Sequence, residues 1–227
     1  MSWFVNLYRS TIGKKIIMAV TGLIGIAFVV LHMVGNLQVF IGQDKFDAYA
    51  ALLHGPLAEV LWVARAVLVA AVLLHVLMAW QLTQRAHAAR PVDYRMRQAQ
   101  VSTVASRTMR WGGVLLLAFI VFHILHFTVG TIDPAGVFHT TDAAGRHDIY
   151  GDVVASFRIW WVSGFYLLSM AFLGLHLFHG AWSSLRTLGV ARPSEHPLHR
   201  RIAAAVAIAV WLGFTLVPLG VIAGIVH

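Results

Sequence analysis

The chain has 227 residues, of which 59% are hydrophobic and only 11% are charged. Because a soluble domain carries about 25% charged residues, this composition excludes an ordinary soluble domain and indicates a membrane protein. The absence of cysteine excludes disulfides, cysteine-ligated iron–sulfur clusters and covalently attached c-type haem within this chain.

Five apolar runs are long enough to cross a bilayer, for which a helix needs about 20 residues. The first begins after Lys15 and is too long for the core of a signal peptide, so no cleavable signal is expected. Pro56 suits a first helical turn and Gly189 a helix C-cap. The predicted fold is an all-α integral membrane bundle in a single domain, 1–227, with spans at about 12–41, 56–84, 109–131, 154–188 and 199–226.

The loops differ in charge, and this difference predicts the topology. By the positive-inside rule the N-terminus is cytoplasmic and the C-terminus is outside, as in a multi-pass protein of a bacterial cytoplasmic membrane. The net charge of +8 therefore indicates topology and contact with anionic lipid, not nucleic acid. The loop from about Thr131 to Val153 is long and is expected to fold over the outer face. The predicted inner cations are Arg9, Lys14, Lys15, Arg85, Arg90, Arg95, Arg97, Arg107, Arg110, Arg186, Arg192, Arg200 and Arg201.

Histidines inside the spans are the candidate functional residues, because ionisable groups in a bilayer are costly and usually functional. At about 1.5 Å of rise per residue, His32 and His123 lie about 20–25 Å from the inner surface, in the outer half. His75 and His176 enter from the other side and lie in the inner half. Two facing imidazoles can be the axial ligands of one haem, so the sequence predicts two b-type haems.

Depth alone does not choose between His123 and His126, or between His176 and His179, since each pair shares a helix face. Zinc is less favoured, because no carboxylate or cysteine accompanies these histidines. Nearby glycines have two interpretations, close approach of a macrocycle or ordinary helix packing, and we weigh them equally. These are Gly22, Gly25, Gly112, Gly113 and Gly180.

Several motifs resemble the cytochrome b membrane anchor of succinate dehydrogenase and fumarate reductase (respiratory complex II), in its five-helix, two-haem form. The resemblance covers nearly the whole chain, and its most specific motif is His176-Leu177-Phe178-His179-Gly180-Ala181-Trp182-Ser183. The other motifs are Gly13-Lys14-Lys15, Leu31-His32-Met33-Val34-Gly35-Asn36, Leu74-His75, Arg110-Trp111, Phe122-His123 and Leu188-Gly189.

The resemblance implies haem ligation by His32 with His123 and by His75 with His176, and it favours His123 over His126 and His176 over His179. It implies electron transfer between a flavoprotein and an iron–sulfur subunit on the cytoplasmic face and a membrane quinone, menaquinone being favoured. Glu59 is the candidate for quinone protonation, with an N-terminal helix acid as the alternative interpretation. Some members carry a glutamate just before the fourth-helix ligand; here Gly174 and Leu175 stand there, which puts that proton route in doubt.

Further polar residues are candidates for the anionic propionates of the haems and for the quinone. Arg65 is the most informative, because an arginine inside a span needs a counter-charge. The propionate candidates are Lys14, Ser106, Arg110 and Arg186 for the inner haem and Arg65, Arg158 and the Trp160-Trp161 pair for the outer haem. The quinone candidates are Gln38, His54 and Glu59.

Two other functions compete with this interpretation. One is a haem-b subunit of another respiratory enzyme, such as nitrate reductase, formate dehydrogenase or hydrogenase; nitrate reductase subunits place their ligands on only two helices. The other is a transporter or anchor without redox activity, which predicts no haem. The sequence does not set the direction, succinate oxidation or fumarate reduction.

Overall fold

A computed structural model describes residues 3–89, 102–191 and 198–227. Within these ranges the secondary structure is helical apart from a single bridge between Thr141 and His147. A 3-10 segment, Leu37–Ile41, continues the second helix. The helices are α1 (Trp3–Arg9), α2 (Thr11–Asn36), α3 (Gln43–His54), α4 (Ala58–Ala88), α5 (Val104–Phe127), α6 (Ile149–Phe157), α7 (Trp160–Thr187) and α8 (Leu198–Ile222).

Five of these helices are long and apolar enough to cross a membrane, which confirms the predicted number of spans. They are α2 with its 3-10 extension, α4, α5, α7 and α8. Large apolar side chains on their outward faces are exposed, as expected of helices solvated by lipid. The chain is therefore a multi-pass membrane protein. Of the cations that predicted its orientation, Arg90, Arg95, Arg97 and Arg192 lie outside the described residues.

The fourth predicted span, 154–188, is wrong at its start. The chain forms a separate helix, α6, that ends at Phe157, and the spanning helix begins only at Trp160. Ile159 is extended, and the Ser163 hydroxyl donates to the carbonyl of Phe157 at 2.6 Å. Because the sequence at this break contains no proline or glycine and Arg158 is its one charged residue, hydropathy alone did not locate it. At the other end, Gly189 has φ of +76°, as predicted for a C-cap.

The helices that carry the in-span histidines pack as a row, in the order α4, α2, α7, α5. The fifth spanning helix, α8, packs outside this row against α7 and α2. At one end, α1 folds back on α2, with Ser10 accepting a hydrogen bond from the Gly13 amide at 2.9 Å. Each histidine pair joins helices that are not neighbours in this row: α2 with α5, and α4 with α7.

The opposite end is covered by a cap, which we define as α3, the segment 128–148, α6 and residues 223–227. Asp47 of α3 is fully buried and accepts from the Tyr150 amide at 2.9 Å. Arg146 bonds Asp44 at 2.9 Å, and the Tyr150 hydroxyl donates to the carbonyl of His227 at 3.3 Å. The long loop thus folds over one end of the bundle, as the sequence predicted.

Candidate bis-histidine sites

The two predicted histidine pairs lie face to face within the bundle. The ring centroids of His32 and His123 are 5.8 Å apart with an interplanar angle of 77°. Those of His75 and His176 are 6.2 Å apart at 55°. The first pair lies toward the cap and the second toward α1, so the order along the bundle agrees with the depths expected from the sequence.

Backbone contacts fix the orientation of His75. Its Nδ1 lies 3.1 Å from the carbonyl of Met18 and 3.3 Å from the hydroxyl of Thr21. Since the Thr21 hydroxyl itself donates to the carbonyl of Ile17 at 2.8 Å, Nδ1 of His75 carries the proton and Nε2 keeps its lone pair. A neutral imidazole with a free Nε2 is the form that ligates a metal.

Its partner, His176, has a buried Nδ1 without a hydrogen-bond partner. A buried ring nitrogen left unpaired is costly, and in native proteins such atoms usually have a role or a bound group that the protein alone does not supply. Gly113 lies opposite this ring, because a Cβ there would lie 4.0 Å from Cε1 of His176. Gly22 faces His75 more tightly, at 3.3 Å from a Cβ to Cε1.

His123 and His126 differ in their hydrogen bonds. Nδ1 of His126 lies 3.1 Å from the Tyr166 hydroxyl, and its Nε2 lies 3.0 Å from the Ser156 hydroxyl. Both nitrogens of His126 are thus occupied by side chains. His123 uses only Nδ1, at 3.2 Å from the same Tyr166 hydroxyl, which leaves Nε2 for a ligand. On the other helix, the ring that faces His75 belongs to His176 and not to His179.

His32 completes the pair on the cap side. Asn36 lies one turn further along α2, and its amide donates to the His32 carbonyl at 2.8 Å. The same amide nitrogen, which carries a second hydrogen, lies 3.3 Å from Nε2 of His32 and can donate to it. Phe28 stacks on the imidazole with centroids 5.2 Å apart and limits its rotation.

The separation of the two rings in each pair can be compared with that of two imidazoles bound to one metal. Two imidazoles sharing one metal with bonds of about 2 Å place their ring centroids about 6 Å apart, close to both observed separations. Among the described residues no group of three or more His, Asp or Glu side chains could hold a metal ion. A haem needs only two protein ligands, because the porphyrin supplies the others. Each pair therefore supplies two imidazoles, the number of protein ligands that a bis-histidine haem requires.

The outward face of α4 carries an apolar cleft of about 270 Å³, to which α5 contributes Leu117. Its lining side chains Leu73 and Trp80 are exposed, so the cleft faces the lipid. Positions Gly25 and Gly180 face open space, since a Cβ at either would contact no atom within 4 Å. The predicted close approach at Gly112 is instead to a side chain, Phe172. The cleft is lined by Val72, Leu73, Val76, Leu77, Trp80 and Leu117.

The predicted propionate ligands on the α1 side have protein partners in the structure. Lys14 is buried, its ammonium donates to the side-chain Oε1 of Gln81, and it lies 4.2 Å from the ring centroid of Tyr8. Arg110 is exposed and bonds His87 at 3.2 Å. Arg186 is also exposed and lies over Trp182, and the Ser106 hydroxyl donates to the carbonyl of Thr103.

On the cap side, the structure unites two residues predicted for different roles. Nη2 of Arg65 lies 3.3 Å from Nε2 of His54, and its guanidinium lies over Trp62 at 5.0 Å. Glu59 is exposed in the first turn of α4, one turn and a half before Arg65. Gln38 lies half-buried in the 3-10 extension of α2, and no described bond joins it to His54 or Glu59. Arg158 is exposed at the C-cap of α6, next to the exposed Trp160 and Trp161.

Comparison of the chain with protein-family models, with curated proteins and with solved structures gives no match. The functional argument therefore depends on the residues and their geometry. Two residues of the site were missed by the sequence analysis: Tyr166, which bonds both His123 and His126, and Ser156, which comes from the cap. Neither residue belongs to a sequence pattern that indicates a site, because Tyr166 lies in an apolar span and Ser156 lies beside Phe157.

Proposed function

We propose that the chain is the membrane anchor of a succinate:quinone oxidoreductase, a cytochrome b subunit that carries two b-type haems and reacts with a membrane quinone. The observation that supports this most is the presence of two facing histidine pairs, His32–His123 and His75–His176, on four different spanning helices. Subunits with ligands on only two helices, such as the nitrate reductase type, do not have this distribution.

The haems would supply one-electron transfer between the two ends of the bundle. The chain would provide the imidazole ligands, hold each ring in one tautomer and exclude water around it. For His75 the tautomer is set by the Met18 carbonyl at 3.1 Å, and Nδ1 of His123 has a partner in the Tyr166 hydroxyl at 3.2 Å. Such hydrogen bonds to the second ring nitrogen raise the basicity of a ligating imidazole.

We further propose that the α1 end faces the cytoplasm of a bacterial cell and meets the flavoprotein and iron–sulfur subunits there. The positive-inside rule supports this orientation, with the acidic cap outside. The quinone, with menaquinone favoured, would react near the cap, where Gln38, His54 and Glu59 are the candidate contacts. Glu59 is exposed toward this level and could exchange protons with water outside.

A pyridine haemochrome assay on the purified chain tests the haem proposal. The expected result is a b-type spectrum with two haems per chain. A chain without b-type absorption would contradict it and favour a non-redox anchor or transporter.

A second assay tests the enzyme to which the chain belongs. The native complex should be isolated through a tag on this chain and supplied with a menaquinone analogue. Succinate should reduce the quinone, and formate or hydrogen should not. Reduction by formate or hydrogen alone would favour another respiratory enzyme and overturn the assignment to succinate:quinone oxidoreductase.

A further inference from the structure

A buried hydrogen-bonded chain joins the cap to the histidine pair on its side of the bundle. It runs from Ser156 on α6 through His126 on α5 and Tyr166 on α7 to His123 on α5. The successive separations are 3.0 Å from Ser156 Oγ to His126 Nε2, 3.1 Å from His126 Nδ1 to the Tyr166 hydroxyl, and 3.2 Å from that hydroxyl to His123 Nδ1.

The surroundings isolate this hydrogen-bonded series from water. Ser156 is 2% exposed, His126 is 3% exposed and Tyr166 is 6% exposed. Aromatic rings enclose the tyrosine, with the centroids of Phe119 and Phe157 each 5.0 Å from its own. Because water cannot replace a lost hydrogen-bond partner in such a site, removing one bond of the series changes the strength of the bonds next to it.

Ligation of a metal by Nε2 of His123 would leave one consistent direction for these bonds. Nδ1 of His123 must then carry its proton and donate to the Tyr166 oxygen. The Tyr166 hydroxyl must donate to Nδ1 of His126, whose Nε2 then carries the remaining proton and donates to Ser156. The cap hydroxyl is therefore the final acceptor for a chain that begins at the ligand.

We propose that Ser156, His126 and Tyr166 are positioning residues through which the cap helix α6 sets the basicity of the His123 ligand, and so the potential of the haem on the cap side. This inference rests on the proposed function, because it needs a haem on His123. The other pair has no such link: His75 bonds a backbone carbonyl of α2, and Nδ1 of His176 has no partner. The two haems would therefore respond differently to changes in the cap.

Redox titration of the complete complex, followed optically for each haem, tests the proposal with Tyr166→Phe and Ser156→Ala. Loss of the acceptor for His123 Nδ1 makes the imidazole less basic and stabilises ferric iron less. The expected result is an upward shift of one midpoint potential, larger for Tyr166→Phe than for Ser156→Ala, with the other potential and the haem content unchanged. Ser156→Ala is the milder variant, because it leaves the Tyr166 bonds intact.

Ser163→Ala is the matched control, since Ser163 is another buried serine whose hydroxyl bonds α6, through the carbonyl of Phe157, without contacting a histidine. A shift of the same size in Ser163→Ala, equal shifts of both haems, or unchanged potentials in Tyr166→Phe and Ser156→Ala would each overturn the inference. Absence of haem from the unmodified complex would overturn the proposed function itself, which the spectrum shows before any variant is made.

Discussion

Nδ1 of His75 lies 3.1 Å from the backbone carbonyl of Met18, so a helix neighbouring α4 determines which nitrogen of this histidine faces His176. The contact is between helices, and it involves a carbonyl that has no side-chain signature. The same arrangement explains why Gly22, one turn along α2, lies against the imidazole. The α2–α4 interface thus fixes the orientation and the tautomer of the His75 imidazole without a bound ligand.

Removing either histidine of a pair should remove one haem and leave the other. We expect His75→Ala and His176→Ala each to reduce the haem content from two per chain to one, because each pair supplies both axial ligands of one proposed haem. His32→Ala and His123→Ala should do the same for the other pair. The measurement is pyridine haemochrome absorbance per mole of purified chain.

His126→Ala and His179→Ala are the matched controls, as each removes a histidine one turn from a proposed ligand. Both should keep two haems. If His126→Ala lost a haem completely while His123→Ala kept both, the ligand on α5 would be His126.

The close approach at Gly22 predicts a steric effect on the α1-side pair. A Cβ there would lie 3.3 Å from Cε1 of His75, and the branched side chain of Gly22→Val needs more space than this ring leaves. We expect the variant to lose the haem of this pair selectively. Gly164→Val adds the same side chain where a Cβ would meet nothing within 4 Å, and it should retain both haems. Equal haem content in the two variants would show that the position of His75 is not limiting.

The cap should be more stable in mild acid than at neutral pH, because folding buries the carboxyl of Asp152 and so favours its protonated form. Asp152 is 3% exposed. Burial raises the pKa of its carboxyl to about 6 from 3.8, although His147, 3.0 Å away, acts in the opposite direction. Folding therefore takes up a proton between about pH 4 and 6, so the free energy of unfolding is highest below this window and falls as pH rises through it. Burial also raises the pKa of Asp47, which contributes with the same sign.

Hydrogen exchange of the amides of α6, corrected for the intrinsic pH dependence, measures this effect. Exchange should be slower at pH 5 than at pH 7 in the unmodified protein. Asp152→Asn, which keeps the shape and removes the titration, should reduce the difference. A pH response of undiminished size in this variant would assign the effect to other carboxyls of the cap.

Lys14 gives a prediction about stability that is separate from haem. Its ammonium is buried between Gln81 and Tyr8 and thereby ties α2 to α4 and α1. Lys14→Met should lower the free energy of unfolding by about 1–2 kcal/mol, because the Gln81 carbonyl loses its donor. The measurement is thermal unfolding in detergent, with Lys15→Met on the exposed side of the same turn as control. Loss of haem in Lys14→Met without loss of stability would support the alternative role, a propionate contact.

The sequence predicted the spans well and the cap poorly, for a physical reason. Long apolar runs such as the one now in α4 leave a helix little alternative in a bilayer, because every backbone group must be bonded internally. The short helices α1 and α3 have no such constraint, and they were not predicted. Likewise, the prediction placed the end of α6 and all of α7 in one span. Hydropathy does not distinguish the apolar residues of α6, which the cap buries, from residues that face lipid.

The candidate site shows the same division. His32, His75, His123 and His176 were identified from the cost of an ionisable residue in a membrane, and their depths predicted the two pairs that the structure brings together. Their second partners were not identified. A backbone carbonyl has no sequence signature, and Tyr166 and Ser156 become part of the site only through the packing of α5, α6 and α7.

The row of helices from α4 to α5 leaves an apolar cleft between its two ends, which Arg110 and His87 join at 3.2 Å on the α1 side. The cleft opens toward the acyl chains, because its lining side chains Leu73, Trp80 and Leu117 are exposed. We expect the helices to insert into the bilayer first and the proposed haem of the α1-side pair to bind afterwards. Exchange of this haem would then require only that α4 and α5 move apart, and not that the protein unfold.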